Sequence, residues 1–142
     1  MKTIKEILDH KGRDVSTIGP DETVLEALKL MAEKELGALV VMEDGKLKGL
    51  ISERDYARKV ILKGRTSLET KVREVMTQKV VCATLRRTAE EVMAVMTEKR
   101  VRHLPIIDEK QLVGLVSIGD LVKAIISDQQ FVIEQLEKYI TS

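Results

Sequence analysis

The sequence predicts an α+β protein made of two tandem β-α-β-β-α repeats followed by a long C-terminal helix. Three observations carry that prediction. A shift of 65 positions aligns residues 15–60 with 80–125 without a gap, and twelve positions meet identical residues, among them Thr23/Thr88, Glu26/Glu91, Gly49/Gly114, Ser52/Ser117 and Asp55/Asp120. Each copy places a helical apolar stripe ahead of two short apolar runs, so the hydrophobic period changes from 3.6 to that of buried strands. Each copy is also short: a chain of ~60 residues buries only ~60% of its unfolded surface and is marginal alone. Two such units packed face to face would share one core.

The elements follow in order. Ile4-Lys5-Glu6-Ile7-Leu8 opens the first copy and is echoed by Val72-Arg73-Glu74-Val75-Met76. An early strand is expected near Thr17-Ile18, and its counterpart near Cys82-Ala83. Thr23-x-x-Glu26 and Thr88-x-x-Glu91 read as capping boxes. Behind them Val24, Ala27, Leu28 and Met31 fall at i, i+3, i+4 and i+7, a stripe that Ala89, Val92, Met93 and Met96 copy. Leu39–Met42 and Leu104–Ile107 read as buried strands. Asp44-Gly45 signals a hairpin into Leu47–Ile51, with Lys110-Gln111 in its place before Leu112–Val116. Second helices are expected over about 53–62 and from Ile118 onward, the latter continued by the stripe Val132, Leu136, Tyr139 and Ile140. The domain organisation reads as one module over 1–142: repeat 1 at 4–62, linker 63–71, repeat 2 at 72–126 and a helical extension at 127–142. That tail packs on its own domain or forms a dimer contact.

Composition narrows the function. Lys plus Arg is 24 against 23 Asp plus Glu, a net charge of +1, which lacks the basic field of a non-specific nucleic-acid or membrane binder. Three aromatic residues, Tyr56, Phe131 and Tyr139, are too few for a base-stacking platform. A single cysteine, Cys82, excludes an intramolecular disulfide and a multi-cysteine metal cluster. No apolar run reaches the ~20 residues of a membrane span, and the opening residues do not read as a signal peptide. A cytoplasmic protein is expected.

The chemistry sits in a doubled constellation. Gly49-Leu-Ile-Ser52-Glu-Arg-Asp55 and Gly114-Leu-Val-Ser117-Ile-Gly-Asp120 both read Gly-x-x-Ser-x-x-Asp, running from a strand into a helix. In structural terms Gly ends the strand, Ser caps the helix and Asp completes the cap and opposes the dipole. The same geometry suits a ligand: the helix N-terminus offers N–H groups to an anion, and the carboxylate accepts hydrogen bonds from both hydroxyls of a ribose diol. The two readings are compatible.

These elements, the repeat spacing and Arg102-His103-Leu104-Pro105-Ile106-Ile107-Asp108 resemble tandem cystathionine-β-synthase-type (CBS) domains, or Bateman modules, over roughly residues 4–126. The chain looks like the stand-alone bacterial type. The resemblance implies repeats packed through their sheets around a pseudo-twofold axis, homodimerisation into a four-unit disc, and two clefts that bind adenosyl ligands. Carried over residue by residue, one cleft takes Ser52, Arg54 and Asp55 with Cys82, Ala83, Arg102, His103, Leu104 and Pro105. The other takes Thr17, Ile18, Gly37, Ala38 and Leu39 with Ser117 and Asp120. Adenine would lie between aliphatic side chains such as Ile18, Val40 and Ile51, or Ala83, Pro105 and Val116.

The two sets differ in charge. Arg102, His103 and Arg54 suit a phosphate, whereas the matching Gly37, Ala38 and Gly119 carry no charge. AMP, ADP or ATP is therefore expected with Asp55, while the Asp120 set would take a bulkier ligand such as NAD(H) or stay empty; S-adenosylmethionine ranks lower. The histidines, His10 and His103, lack metal-ligand spacing, and Cys82 reads as a small apolar residue more than a redox sensor. No nucleophile stands with a base in the pattern. The expected function is a non-catalytic sensor that signals to an effector protein in trans; the alternative is a constitutive interaction scaffold without ligand.

Overall fold

A computed structural model describes residues 1–141; Ser142, the last residue of the expected helical extension, lies outside the described residues. The element order is α1 (Ile4–Lys11), β1 (Thr17–Ile18), α2 (Val24–Lys34), β2 (Ala38–Glu43), β3 (Lys46–Ser52), α3 (Glu53–Lys59), a 3-10 turn (Ile61–Lys63), α4 (Val72–Val75), α5 (Ala89–Lys99), β4 (His103–Asp108), β5 (Gln111–Ser117) and α6 (Ile118–Thr141). This is the predicted α+β mixture, with two small sheets and one long terminal helix. It falls into two compact units: a contiguous one, Val15–Val80, and a composite one made of Met1–Asp14 and the chain from Val81 onward.

In the contiguous unit β1 runs parallel to β2, and β2 pairs antiparallel with β3. The core under this sheet is Val24, Ala27 and Met31 of α2, Leu39, Val41 and Ile51 of the strands, Val60, and Val72 and Val75 of α4. The composite unit repeats the plan. Ala89, Val92 and Met96 of α5 and Leu104, Ile106 and Val116 of β4 and β5 stand at the equivalent positions, joined by Ile4, Ile7 and Leu8 of α1 and by Leu121 and Ala124 of α6. The opening helix of each sequence repeat thus packs in the unit that carries the strands of the other repeat.

Paired caps fix that exchange. In the composite unit the Ile4 N–H donates to the Arg87 carbonyl at 2.8 Å and the Ala89 N–H to the Lys2 carbonyl at 2.9 Å. In the contiguous unit the Val24 N–H donates to Thr70 and the Val72 N–H to Glu22, at 2.8 and 2.9 Å. Helix starts carry N–H groups with no intrahelical partner, so two starts placed side by side satisfy each other. The Thr3, Thr23 and Thr88 hydroxyls accept the N3 N–H of their own helices; the expected capping box closes fully at Thr88, where Glu91 reaches back, while at Thr23 only the hydroxyl half forms.

Four local expectations change. The early strand at Cys82-Ala83 is reduced to a single parallel bridge from Ala83 to Ile106. The helix expected over 53–62 stops at Lys59, and its continuation is the 3-10 turn. The second hairpin turns at Glu109-Lys110, one residue ahead of the expected pair, with positive φ at both (48° and 65°) as at Asp44-Gly45 (52° and 74°). Gly49 and Gly114 do not end their strands but lie inside β3 and β5, where neighbours leave no room for a side chain. A Cβ at Gly49 would stand 2.7 Å from the Thr77 carbonyl oxygen, and one at Gly114 would stand 2.6 Å from Leu8.

Candidate functional site

Both Gly-x-x-Ser-x-x-Asp elements form the same end: a hairpin strand closing into a helix. In the contiguous unit the Ser52 N–H and Oγ donate to Asp55 Oδ2 at 2.9 and 3.1 Å, and the Asp55 N–H donates back to Ser52 Oγ at 3.2 Å. In the composite unit the Ser117 N–H donates to Asp120 Oδ2 at 2.8 Å, and the Asp120 N–H returns to Ser117 Oγ at 3.2 Å. Both serines therefore act as N-caps, as expected of them.

The helix termini have fewer donors to offer an anion than the sequence implied. The N–H of Glu53 donates to the Gly37 carbonyl at 3.0 Å, and that of Ile118 to the Arg102 carbonyl at 2.9 Å. Counting the cap and N3, three of the first four N–H groups at each end are engaged within the chain. An anion here would have to rely on cationic side chains.

Those side chains are present. Each carboxylate meets a lysine that the sequence reading did not single out. Lys59 Nζ lies 3.1 Å from Asp55 Oδ1 and donates to the Val75 carbonyl at 2.9 Å. Lys11 Nζ, at the end of α1, lies 2.6 Å from Asp120 Oδ2 and donates to the Leu115 carbonyl at 2.7 Å. The Asp120 end is thus not without positive charge, as its matching Gly and Ala residues had implied. Arg54 and Arg102 are exposed, and among the described residues neither guanidinium makes an ion pair.

Burial alone would raise the Asp120 carboxyl, but hydrogen bonds from Lys11 and Ser117 outweigh it and hold the group below the usual carboxylate range. His103 faces Ser117 across the β4–β5 ladder. Its imidazole is pushed down, chiefly by burial and then by the Lys11 charge, with Asp120 pulling the other way. Burial pushes the Cys82 thiol up, away from the thiolate that redox sensing needs.

Within single units the expected residues group by register. The contiguous unit holds Thr17 and Ile18 beside Val40 and Val41, Ala38 opposite Ser52, and Leu39 opposite Ile51. The composite unit holds His103 opposite Ser117, Leu104 opposite Val116 and Pro105 opposite Leu115, with Ala83 bonded to Pro105 and Ile107. The ligand sets carried over from the resemblance each draw on both units. A cavity of about 280 Å³ in the contiguous unit is lined by Leu28, Met31, Ala32, Glu35, Leu36, Gly37 and Glu53. Of the expected ligand residues only Gly37 borders it.

Among the described residues no three His, Cys, Asp or Glu side chains cluster to hold a metal ion, and no helix is long and apolar enough to cross a membrane.

The family model of the CBS domain matches this chain twice, at residues 4–62 and 72–127. The mitochondrial CBS domain-containing protein CBSX3 of Arabidopsis thaliana is 38% identical, covering 97% of this chain and 71% of its own length. The CBS domain-containing protein YhcV of Bacillus subtilis is 36% identical over 83% of this chain and 84% of its own. The crystal structure of a CBS-domain containing protein from Agrobacterium tumefaciens superposes with a TM-score of 0.83 at 40% identity, covering 87% of this chain and 98% of that one. A repeat seen in the sequence, folded twice and matched twice, leads to one conclusion: the chain belongs to the CBS-domain family and carries the domain as a tandem pair.

Proposed function

We propose that this chain is a non-catalytic sensor of adenine nucleotides, recognised through Asp55 and Asp120. The observation that carries the reading is the doubled carboxylate held at N3 of a helix by its own serine, in both units. A carboxylate so fixed is a preoriented acceptor for a ribose diol, and neighbouring guanidinium groups suit a phosphate. One solved CBS-domain pair, that of protein MJ0100, is a complex with 5′-methylthioadenosine and S-adenosyl-L-methionine; at 23% identity it shares the fold. AMP, ADP or ATP is the ligand we assign to Asp55, with Ser52 and Arg54; NAD(H) is the candidate for Asp120. Binding would shift the balance between two states of the protein, by no more than its differential affinity for them, and an effector protein would read the change.

Asp→Asn is the informative substitution, because the amide oxygen keeps the Ser N–H bond while the diol loses an acceptor. A thermal-shift panel of AMP, ADP, ATP, NAD, NADH and S-adenosylmethionine on wild type, Asp55→Asn and Asp120→Asn tests the proposal. A ligand at 100 times its Kd adds about 2.7 kcal/mol, a shift of several degrees. We expect AMP to stabilise wild type and Asp120→Asn but not Asp55→Asn. Arg54→Ala should weaken AMP about 10–100-fold, the value of a charge-assisted hydrogen bond, and leave adenosine unchanged. Silence across the whole panel would reject the sensor. One observation favours the scaffold alternative: Lys59 and Lys11 already occupy both carboxylates.

A further inference from the structure

The two carboxylates of the proposed reading differ in what they have left to offer. An ionised carboxylate has about four lone-pair positions, shared between its two oxygens. At Asp55 four donors surround them: the Ser52 N–H and Oγ on Oδ2, at 2.9 and 3.1 Å, and Lys59 Nζ and Thr77 Oγ1 on Oδ1, at 3.1 and 3.5 Å. At Asp120 the Ser117 N–H and Lys11 Nζ share Oδ2, at 2.8 and 2.6 Å, and among the described residues no donor stands on Oδ1. The Asp120 side chain is also the more open, 20% exposed against 13%. A ribose hydroxyl can therefore reach Asp120 through its open oxygen with Lys11 in place. At Asp55 it finds every position taken, by donors of the same compact unit.

Of the four donors on Asp55, Lys59 is the one able to leave. The two Ser52 donors belong to the helix cap, whose loss would fray the start of α3. Thr77 is tied by its backbone to Leu50, donating at 2.8 Å and accepting at 3.0 Å. Lys59 is 45% exposed, and its ammonium rides on a flexible four-carbon chain that can swing aside. Once displaced, that ammonium has lost its carboxylate and stands beside the ligand that took its place. A phosphate supplies the missing counter-charge; a neutral nucleoside supplies none. Lys11 forces no such exchange, because it engages Asp120 through the other oxygen. We infer that Lys59 competes for the Asp55 acceptor and so sets its specificity, disfavouring neutral adenosyl compounds and admitting those that carry a phosphate. This rests on the assignment of Asp55 as a ribose acceptor.

Calorimetric titration of adenosine and of AMP into Asp120→Asn, which leaves Asp55 as the acceptor, with and without Lys59→Met, tests the competition. Lys59→Met should tighten adenosine about threefold, the value of a part-exposed ion pair. The preference for AMP over adenosine should fall about tenfold or more as the phosphate loses its cation. Adenosine no tighter on Lys59→Met would overturn the competition, and an unchanged preference would overturn the role in specificity. Should Lys59→Met not fold, the salt response decides with Lys59 in place. From about 50 to 500 mM NaCl adenosine should bind more tightly and AMP more weakly, because screening relaxes the ion pair and the phosphate contact alike; adenosine indifferent to salt would overturn the competition. If neither compound binds with or without Lys59, the ribose reading of Asp55 fails and the inference with it, whereas AMP and adenosine that both bind and both ignore Lys59→Met remove the inference alone.

Discussion

At the scale of residues, two carboxylates in equivalent places are held by unrelated lysines. Lys59 lies four positions beyond Asp55 on the same helix, a spacing at which opposite charges meet, so that pair was legible in the sequence. Lys11 reaches Asp120 across 109 positions, through the packing of α1 against β5 and α6, and no local pattern could have announced it. Its charge also bears on His103, which burial and the cations around it hold below the usual value of 6.5. Because folding lowers the proton affinity of this imidazole, the unfolded chain binds more protons below pH 6.5. Stability contributed by neutral His103 is therefore complete above pH 6.5 and is lost as pH falls from there through the folded value. Denaturant titrations between pH 5 and 7.5 should show declining stability toward acid, and His103→Gln should flatten that slope without moving the pH 7.5 end by more than about 1 kcal/mol. An unchanged slope would mean that other groups set the acid response.

At the scale of elements, local chemistry was readable where one residue type decides the conformation. Asp44-Gly45 announced its hairpin because Gly accepts positive φ, and the threonine caps announced α2 and α5. Glu109-Lys110 announced nothing: two side chains with poor left-handed propensity hold that conformation because the paired strands on either side require it. The strand expected at Cys82-Ala83 failed for the opposite reason, since a single bridge to Ile106 is all the pairing its surroundings provide. The serine caps were legible, but the engagement of the next N–H by Gly37 or Arg102 was not, because it depends on how the hairpin places the preceding strand. The left-handed conformation costs an L residue about 1–2 kcal/mol. Replacing Glu109-Lys110 by Asn-Gly should accordingly stabilise the protein by about 1 kcal/mol, measured as a rise in the urea midpoint with unchanged m-value. The same pair placed at Asp44-Gly45, where Gly is already present, should gain little.

At the scale of the whole molecule, the internal repeat announced the buried positions almost one for one, but these gather into two clusters rather than the single shared core expected of two marginal units, and their ownership was hidden. A repeat read along the chain assigns Ile4, Ile7 and Leu8 to the first copy, yet they are buried with Leu104, Val116 and Leu121. Leu8 has no exposed surface, and truncating such a leucine to alanine costs about 2–5 kcal/mol. A fragment of residues 15–80 holds its whole core and should unfold cooperatively. A fragment of 81–142 should not, until a peptide of residues 1–14 is added, when far-UV dichroism should report helix formation. Folding of 81–142 without the peptide would show that α1 is dispensable.

That divided ownership has a consequence in time. A ribosome delivers Leu8 long before Leu104, an interval on the order of ten seconds at ordinary rates of synthesis. The 15–80 unit can be complete while the apolar face of α1 still waits for its partners. Lys5, Glu6, Asp9, His10 and Lys11 surround that face, so the segment that waits longest for its core carries enough charge to remain in water until the core arrives.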